Sequence, residues 1–176
     1  MASTVIRYIR GNEYVQNVIV EKPGKPINPK SMNKVGDTAH GLVGELWVHN
    51  LCFQTIERMD RAVRMPKDAQ CLSSKMFWSD HYGSYIIDPS GVQKNILIHP
   101  VTYASEVEGC VGVGFLEPSN AQQHGTLSLS KASLSLIWEH CGGKPGKEGK
   151  GQILEVALYV EGDMPRFASC KPWKPD

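Results

Sequence analysis

Apolar and polar side chains alternate along most of this chain, which is the pattern of strands with one buried face. Eight segments of this kind, or of β-branched type, are predicted as strands: residues 3–10, 14–21, 42–49, 51–57, 82–88, 92–99, 110–116 and 152–160. One helix is predicted over about 131–141, because Leu134, Ile137 and Trp138 recur at helical spacing. The pattern therefore predicts an α+β fold: a mostly antiparallel, curved or barrel-like β-sheet with one packed helix.

Glycine, asparagine and proline mark the connections between these elements. Gly11-Asn12 is predicted to be a turn, and Asn50 is predicted to take the positive-φ position of a tight hairpin. Residues 22–38 contain three prolines, which remove backbone donors, so this stretch is predicted to be a surface connection. Residues 58–80 keep no steady period and are predicted to be a long loop, and residues 88–91 are predicted to form a further turn.

Length and charge favour one domain and exclude some functions. The chain has 176 residues, and its 19 Lys and Arg against 18 Asp and Glu give a net charge of +1, which argues against a nucleic-acid partner. No apolar run reaches the roughly 18 residues of a membrane span, and the start lacks a leader pattern, so neither a membrane partner nor a signal peptide is expected. Within the domain we distinguish residues 1–37, a core over 38–160 and a proline-containing tail over 161–176.

The cysteines are widely spaced and form no Cys-x-x-Cys pair. They are Cys52, Cys71, Cys110, Cys141 and Cys170. This spacing predicts neither a metal site nor a cofactor. An odd number of cysteines suits a reducing compartment, or up to two disulfides with one thiol left over.

The stretch 96–114 is the part of the chain that could carry chemistry. His99 ends one predicted strand and Cys110 begins the next, so the loop between them would bring imidazole and thiol to one sheet edge if the two strands are neighbours. A neighbouring imidazolium would lower the pKa of the thiol and favour the nucleophilic thiolate. Gly109 would let a substrate carbonyl approach backbone amides that hold an oxyanion. The alternative is that Cys110 is a buried core residue.

Other polar and aromatic residues near this stretch are open to two interpretations. Glu106 or Glu108 could orient the imidazole as the third member of a triad, or could face solvent. His81, in Asp-His-Tyr, could bind substrate or belong to a polar turn. Trp78 could stack on a substrate from a nearby loop. The spacing of the remaining histidines assigns them no role: His40, His49, His124 and His140.

Two segments resemble a known protein family. One runs from Ile96-Leu-Ile-His-Pro to Glu-Gly-Cys110; the other is residues 40–58, where Gly-x-Leu precedes an aromatic residue and Thr-Ile-Glu. Both resemble a small domain family of uncharacterised function found in phages, prophages and bacterial chromosomes. The resemblance covers about residues 38–159.

The His-to-Gly-Cys block of that family is similar to the active-site signature of L,D-transpeptidases, cysteine enzymes that cut and rejoin peptidoglycan stem peptides through a thioester. The resemblance implies that Cys110 is the nucleophile and that Gly109 precedes it. Val107-Glu108 stand where those enzymes have Ser-His, and Gly112 stands where they have an arginine. His99, from the other strand, would therefore have to serve as the base.

These observations support two hypotheses from different classes. The first is a phage or mobile-element enzyme that uses Cys110 and His99 on peptidoglycan stem peptides, and that is delivered to the cell envelope from a virion or from the bacterial cytoplasm. The second is a non-catalytic structural or adaptor subunit of a phage tail or baseplate, whose partners are other phage structural proteins or further copies of itself. In that case the tail, with Trp173, would suit docking.

Overall fold

Strands dominate the computed structural model. It describes residues 3–61, 64–89, 96–119 and 123–176, and within the second range residues 68–72 are described by their backbone alone. The strands are β1 (Thr4–Val18), β2 (Thr38–Val48), β3 (Leu51–Arg58), β4 (Asp68–Ser79), β5 (Ser84–Asp88), β6 (Ile98–His99), β7 (Val111–Glu117), β8 (Gln123–His124), β9 (Thr126–Ser128), β10 (Ile153–Glu161) and β11 (Lys171–Pro172). The main helix is α1 (Ser130–His140), followed by the single-turn α2 (Gly146–Lys150).

Among the described strands, eight pair side by side and close into a ring. Their order is β1, β2, β3, β7, β6, β5, β4 and β10, and β10 pairs again with β1. Most neighbours are antiparallel, whereas β1 is parallel to β10 and to β11, and β6 is parallel to β7. The predicted mostly antiparallel, curved sheet is therefore confirmed, and so is the helix packed on it.

The N-terminal segment is one bulged strand, so the predicted turn at Gly11-Asn12 is wrong. Arg10 lies opposite Gly44 and Glu13 lies opposite Val43, which leaves Gly11 and Asn12 as extra residues against β2. A side chain at position 11 would come within 2.6 Å of a β2 carbonyl oxygen, so only glycine fits there. Even-numbered residues of β1 are buried before this bulge and odd-numbered residues after it.

Two clusters of buried side chains pack on opposite faces of the sheet, because β7 gives Val111 and Val113 to the first cluster and Leu116 to the second. In the first cluster, α1 contributes Leu134, Ile137 and Trp138, and the Trp138 ring stacks on Tyr85 at 4.3 Å between ring centroids. The second cluster contains Cys110 together with its apolar neighbours Val101, Ala104, Val107 and Leu127. The helix predicted from its apolar spacing thus packs with the predicted face inward.

Three other details differ from the sequence-based expectation. The region predicted as a long loop contains β4, whose inward position Ser74 is a polar residue with no exposed surface, so the apolar alternation is hidden there. At the β2–β3 turn the positive φ, 52°, belongs to His49 instead of Asn50. The predicted strand 92–99 is observed at Ile98–His99, and residues 90–95, with part of the predicted turn at 88–91, lie outside the described residues.

The C-terminal tail is anchored on its own chain. β11 pairs with Glu13 and Tyr14 of β1, and the Trp173 amide donates to the Tyr14 carbonyl at 2.8 Å. The Trp173 side chain is 7% exposed within the second cluster, and Phe167 packs against the ring of Tyr14 at 4.6 Å. The tail therefore completes the fold, and its order does not require a docking partner.

Candidate active site

The pairing of β6 with β7 brings His99 and Cys110 to one face of the sheet. Ile98 lies opposite Val111 and His99 opposite Gly112 in this parallel pair, so Cys110 falls opposite Leu97. The Leu97 amide donates to the Cys110 Sγ at 3.4 Å. Because side chains alternate along strands, the imidazole and the thiol share a face and are offset by two residues, about 6.6 Å along the strands. The two strands are neighbours, as the sequence-based hypothesis required.

Both side chains line an open cleft of about 680 Å³. One wall comes from the segment before β7 and from the turn after β4, with Glu106, Glu108, His81 and Tyr82. Residues 22–37, which we call the strap, also line the cleft, through Lys30, Ser31 and Asn33. A second cavity of about 640 Å³ adjoins it, sharing His81, Tyr82 and Glu106 and reaching the start of α1. The site is a mostly polar groove with one thiol.

The imidazole of His99 is held as a neutral base. Its Nδ1 lies 3.0 Å from the Pro100 carbonyl oxygen, which can only accept, so Nδ1 carries the proton and Nε2 is the basic nitrogen. Burial lowers the pKa of His99 below its ordinary value, although the Pro100 carbonyl and the charge of Glu106 oppose this shift. Tyr82 stacks on the ring at 4.4 Å between centroids with an interplanar angle of 23°.

The thiol of Cys110 is protonated in the resting site. Its side chain is 7% exposed, and burial raises the pKa of the thiol; the Glu108 charge adds to this rise, while the hydrogen bond from Leu97 opposes it. The expectation that an imidazolium lowers the pKa of the thiol is therefore wrong for this structure, because burial disfavours the charged form of both groups. The resting pair consists of a neutral thiol and a neutral imidazole.

Gly109 sets the direction in which the chain enters β7. Its φ of 90° lies in the left-handed region, where a side chain would be strained, and the residue is buried. This conformation turns the loop so that Cys110 can pair beside Leu97. The sequence predicts a glycine here for substrate access, which stays a prediction; the structure shows a backbone reason for it.

Tyr82 lines the cleft beside His81, and the sequence assigned it no role of its own. It belongs to a turn closed by the hydrogen bond from the Gly83 amide to the Asp80 carbonyl, 3.3 Å long, so the predicted polar turn exists and also lines the cleft. Burial, together with the negative charge that Cys110 would carry as a thiolate, raises the pKa of Tyr82, so its phenol remains a hydrogen-bond donor. The stacking of Tyr82 on His99 is a three-dimensional contact that no pattern in the sequence indicates.

The two carboxylates have different partners. Glu108 is exposed, and its Oε1 accepts a hydrogen bond from Ser31 Oγ at 2.7 Å. Glu106 accepts from the Thr102 amide at 3.2 Å and forms an ion pair with Lys22 at 3.1 Å. The orienting position of the predicted triad is filled by the Pro100 carbonyl, and the carboxylates act at longer range.

The two residues predicted to bind substrate lie in different places. His81 lines the cleft and meets Tyr82 edge to face, with 4.8 Å between ring centroids. Trp78 does not belong to the described wall of either cavity. Its indole lies under the Lys150 ammonium at 4.1 Å and donates to Asp80 at 2.9 Å. The structure therefore brings His81, and not Trp78, to the site.

A buried polar anchor holds the strap over the site. Asn33 Oδ1 accepts from Arg58 at 2.9 Å and from Arg61 at 3.0 Å, while its Nδ2 donates to the Ser105 carbonyl at 3.0 Å. Arg58 is 1% exposed, and its charge is paired with Asp60. The strap was predicted as a surface loop; no pattern in the sequence shows that its middle is tied to the interior.

Comparisons with known proteins add no assignment: the chain matches no family model, and no curated protein or solved structure matches it. In the described part of the chain, no helix is long and apolar enough to cross a membrane. The same residues include no group of three or more His, Cys, Asp or Glu side chains arranged to hold a metal ion. Among the described cysteines, Cys52 is exposed, Cys110 is buried, and Cys141 and Cys170 are half-buried.

Proposed function

We propose that this protein is a cysteine-dependent acyl-transfer enzyme that acts on peptide amides, with peptidoglycan stem peptides as the substrate class. The observation that supports this most is the state of His99 in the cleft it shares with Cys110. Its Nδ1 is committed to the Pro100 carbonyl and its pKa is lowered, so Nε2 is ready to accept a proton at neutral pH. The resemblance to L,D-transpeptidases points to Cys110 as the nucleophile and to the same substrates, while His99 takes the place of the histidine that this chain lacks before Gly109.

The proposed reaction begins from two neutral groups. As the Cys110 sulfur attacks the amide carbon, its proton passes to Nε2 of His99, so no free thiolate has to form in the buried site. The carbon–nitrogen bond then breaks, and the leaving amine takes the proton from His99. A water molecule or an acceptor amine next attacks the thioester and gives one proton to His99, which returns it to the sulfur. Tyr82 donates a hydrogen bond to the developing oxyanion.

The charges around the cleft suit a zwitterionic peptide. Lys30, Glu106 and Glu108 all line the cleft, so charges of both signs are present there. A substrate with a carboxylate at one end and an ammonium group at the other would find an opposite charge for each group. Stem peptides carry both groups, which makes them a better fit than a purely apolar acyl donor.

The test is to incubate intact sacculi with the wild-type protein and with the Cys110→Ala variant, and to analyse the released muropeptides by mass spectrometry. We expect new cleaved or cross-linked products with the wild type alone, and an acyl adduct on Cys110 after acid quenching. Cys52→Ala is the matched control, because it removes an exposed thiol. Identical muropeptide profiles from wild type and Cys110→Ala would refute the proposal.

The mechanism can be tested separately from the substrate. A neutral thiol predicts that alkylation of Cys110 by iodoacetamide accelerates as the pH rises through 9, with no fast plateau between pH 5 and 7. A thiolate–imidazolium pair would instead alkylate rapidly and uniformly across that acidic range. Rapid alkylation at pH 5 would refute the neutral pair while leaving acyl transfer open.

We propose a non-catalytic subunit of a phage tail or baseplate as the second candidate. The burial of Cys110 among Ala104, Val107 and other apolar residues of the second cluster favours it, because a structural cysteine is placed in this way. Sedimentation of the full chain at increasing concentration tests self-association. A protein that is monomeric throughout and inactive on sacculi would leave the self-assembling form of this candidate without support.

A further inference from the structure

Two histidines that are distant in sequence meet on the surface, away from the cleft. His49 lies in the β2–β3 turn and His140 is the last residue of α1, 91 residues later. Their Nδ1 atoms are 3.5 Å apart, and the ring planes are inclined by 55° with centroids 5.7 Å apart. Two nitrogens that face each other at this distance form either a weak hydrogen bond or one edge of a coordination shell.

The separation fits one coordination geometry better than another. Two nitrogens bound tetrahedrally to one Zn²⁺, each at about 2.0–2.1 Å, lie about 3.3–3.4 Å apart. Neighbouring ligands in a square-planar complex lie closer, about 2.8–2.9 Å at similar bond lengths. The observed 3.5 Å needs a closure of one or two tenths of an ångström for the tetrahedral case. We propose that His49 and His140 form a bidentate Zn²⁺ site whose remaining positions are taken by water.

The elements that carry the two imidazoles are fixed by the fold. His49 has a φ of 52° in a hairpin whose strands pair up to Val48 and Leu51, so its direction is set by the turn. His140 follows Ile137 and Trp138, which are fully buried or nearly so and hold the end of the helix. Little conformational freedom of the backbone is lost when a metal binds.

The surroundings favour a cation with water ligands. The C-terminal end of α1 carries a partial negative charge, which stabilises positive charge at His140. His49 is exposed and His140 is half-buried, so water reaches the site. Cys141, the next residue, packs against the first cluster. Two imidazoles and water therefore describe the site that the residues offer.

The experiment is a titration of the full, untagged chain with zinc chloride, followed by calorimetry and by competition with a chromogenic chelator. We expect one site in the wild type, and affinity reduced about tenfold or more in His49→Asn and in His140→Gln. Asparagine is chosen at position 49 because it tolerates the left-handed backbone found there. His81→Gln and Cys110→Ser are the matched controls and should bind zinc as the wild type does.

Thermal unfolding separates loss of the site from loss of the fold. Without zinc, both variants should melt as the wild type does; with saturating zinc, only the wild type should melt at a higher temperature. Unchanged affinity in His49→Asn would overturn the proposal, as would no binding at millimolar zinc. Loss of binding in His81→Gln or Cys110→Ser would place the metal in the cleft and overturn it as well.

Discussion

Replacing Glu57 by glutamine should destabilise this protein more than most single substitutions. The Glu57 carboxylate lies in the interior with no exposed side-chain surface, and it accepts four hydrogen bonds. Tyr8 donates at 2.6 Å, the Arg10 guanidinium at 2.7 and 3.0 Å, and the Met65 amide at 3.1 Å. The network joins β1 and β3 to the segment before β4.

The magnitude follows from what the glutamine leaves behind. Its amide group would point two donors at groups that are themselves donors, and Arg10, with 2% of its side chain exposed, would keep a buried charge with no counter-ion. Removing one partner of a buried ion pair costs about 3–5 kcal/mol. For a domain of this size each kcal/mol lowers the melting temperature by about 2–4 °C, so a fall of about 6–20 °C is expected.

Urea unfolding followed by circular dichroism measures this loss, and two other variants calibrate it. Tyr8→Phe removes one hydrogen bond to the carboxylate and should cost about 1.5–3 kcal/mol. Glu161→Gln breaks the ion pair with Arg7, whose two side chains are 51% and 43% exposed, and should cost less than about 1 kcal/mol. A Glu57→Gln variant as stable as Glu161→Gln would refute the reasoning.

Three further predictions concern the site and the tail. Because the pKa of His99 is lowered in the folded state, the unfolded chain binds more protons just below pH 6.5. The free energy of unfolding, measured with urea, should therefore fall as the pH drops from 7 towards 5, and it should depend less on pH in His99→Gln. Trp173→Ala should cost about 3–5 kcal/mol and expose the tail to limited proteolysis, since its indole is buried. Lys22→Ala and Ser31→Ala each remove one contact between the strap and the glutamates that line the cleft. Both variants should speed the alkylation of Cys110, while the free energy of unfolding should change by less than about 1 kcal/mol.

Much of the fold is readable in the sequence where the physical signal is local. The hairpin of β2 and β3 and the helix α1 were predicted because alternation and helical spacing report directly on burial. β4 was missed because its inward position at Ser74 is a small polar residue. Gly11-Asn12 misled for another reason: the same residues suit a tight turn and a bulge, and only the register against β2 decides between them.

The candidate site could be predicted in composition but not in ionisation. His99 and Cys110 flank a short crossover, so their proximity follows from the pairing of two neighbouring strands. Their protonation states depend on burial, which the sequence does not show, and burial reverses the expected shift of the thiol pKa. The contact of Tyr82 with His99 and that of His49 with His140 depend on the closed ring of strands, which no local pattern encodes.

The enzyme and the non-catalytic subunit differ in what they require of the buried His99 beside Cys110. A structural cysteine needs no base, yet the His99 imidazole is held in one tautomer by the Pro100 carbonyl and is kept neutral in a cleft lined by polar side chains. A neutral imidazole in this tautomer can remove a proton from a neutral thiol only when an electrophile approaches, so a resting thiol with a raised pKa is compatible with catalysis. What limits such a reaction is access to the sulfur, and the strap lines the cleft through which a substrate would reach it. If Lys22→Ala or Ser31→Ala speeds the alkylation of Cys110 but the protein stays inactive on stem peptides, then His99 is not a catalytic base. Packing is then the better explanation for the sulfur of Cys110.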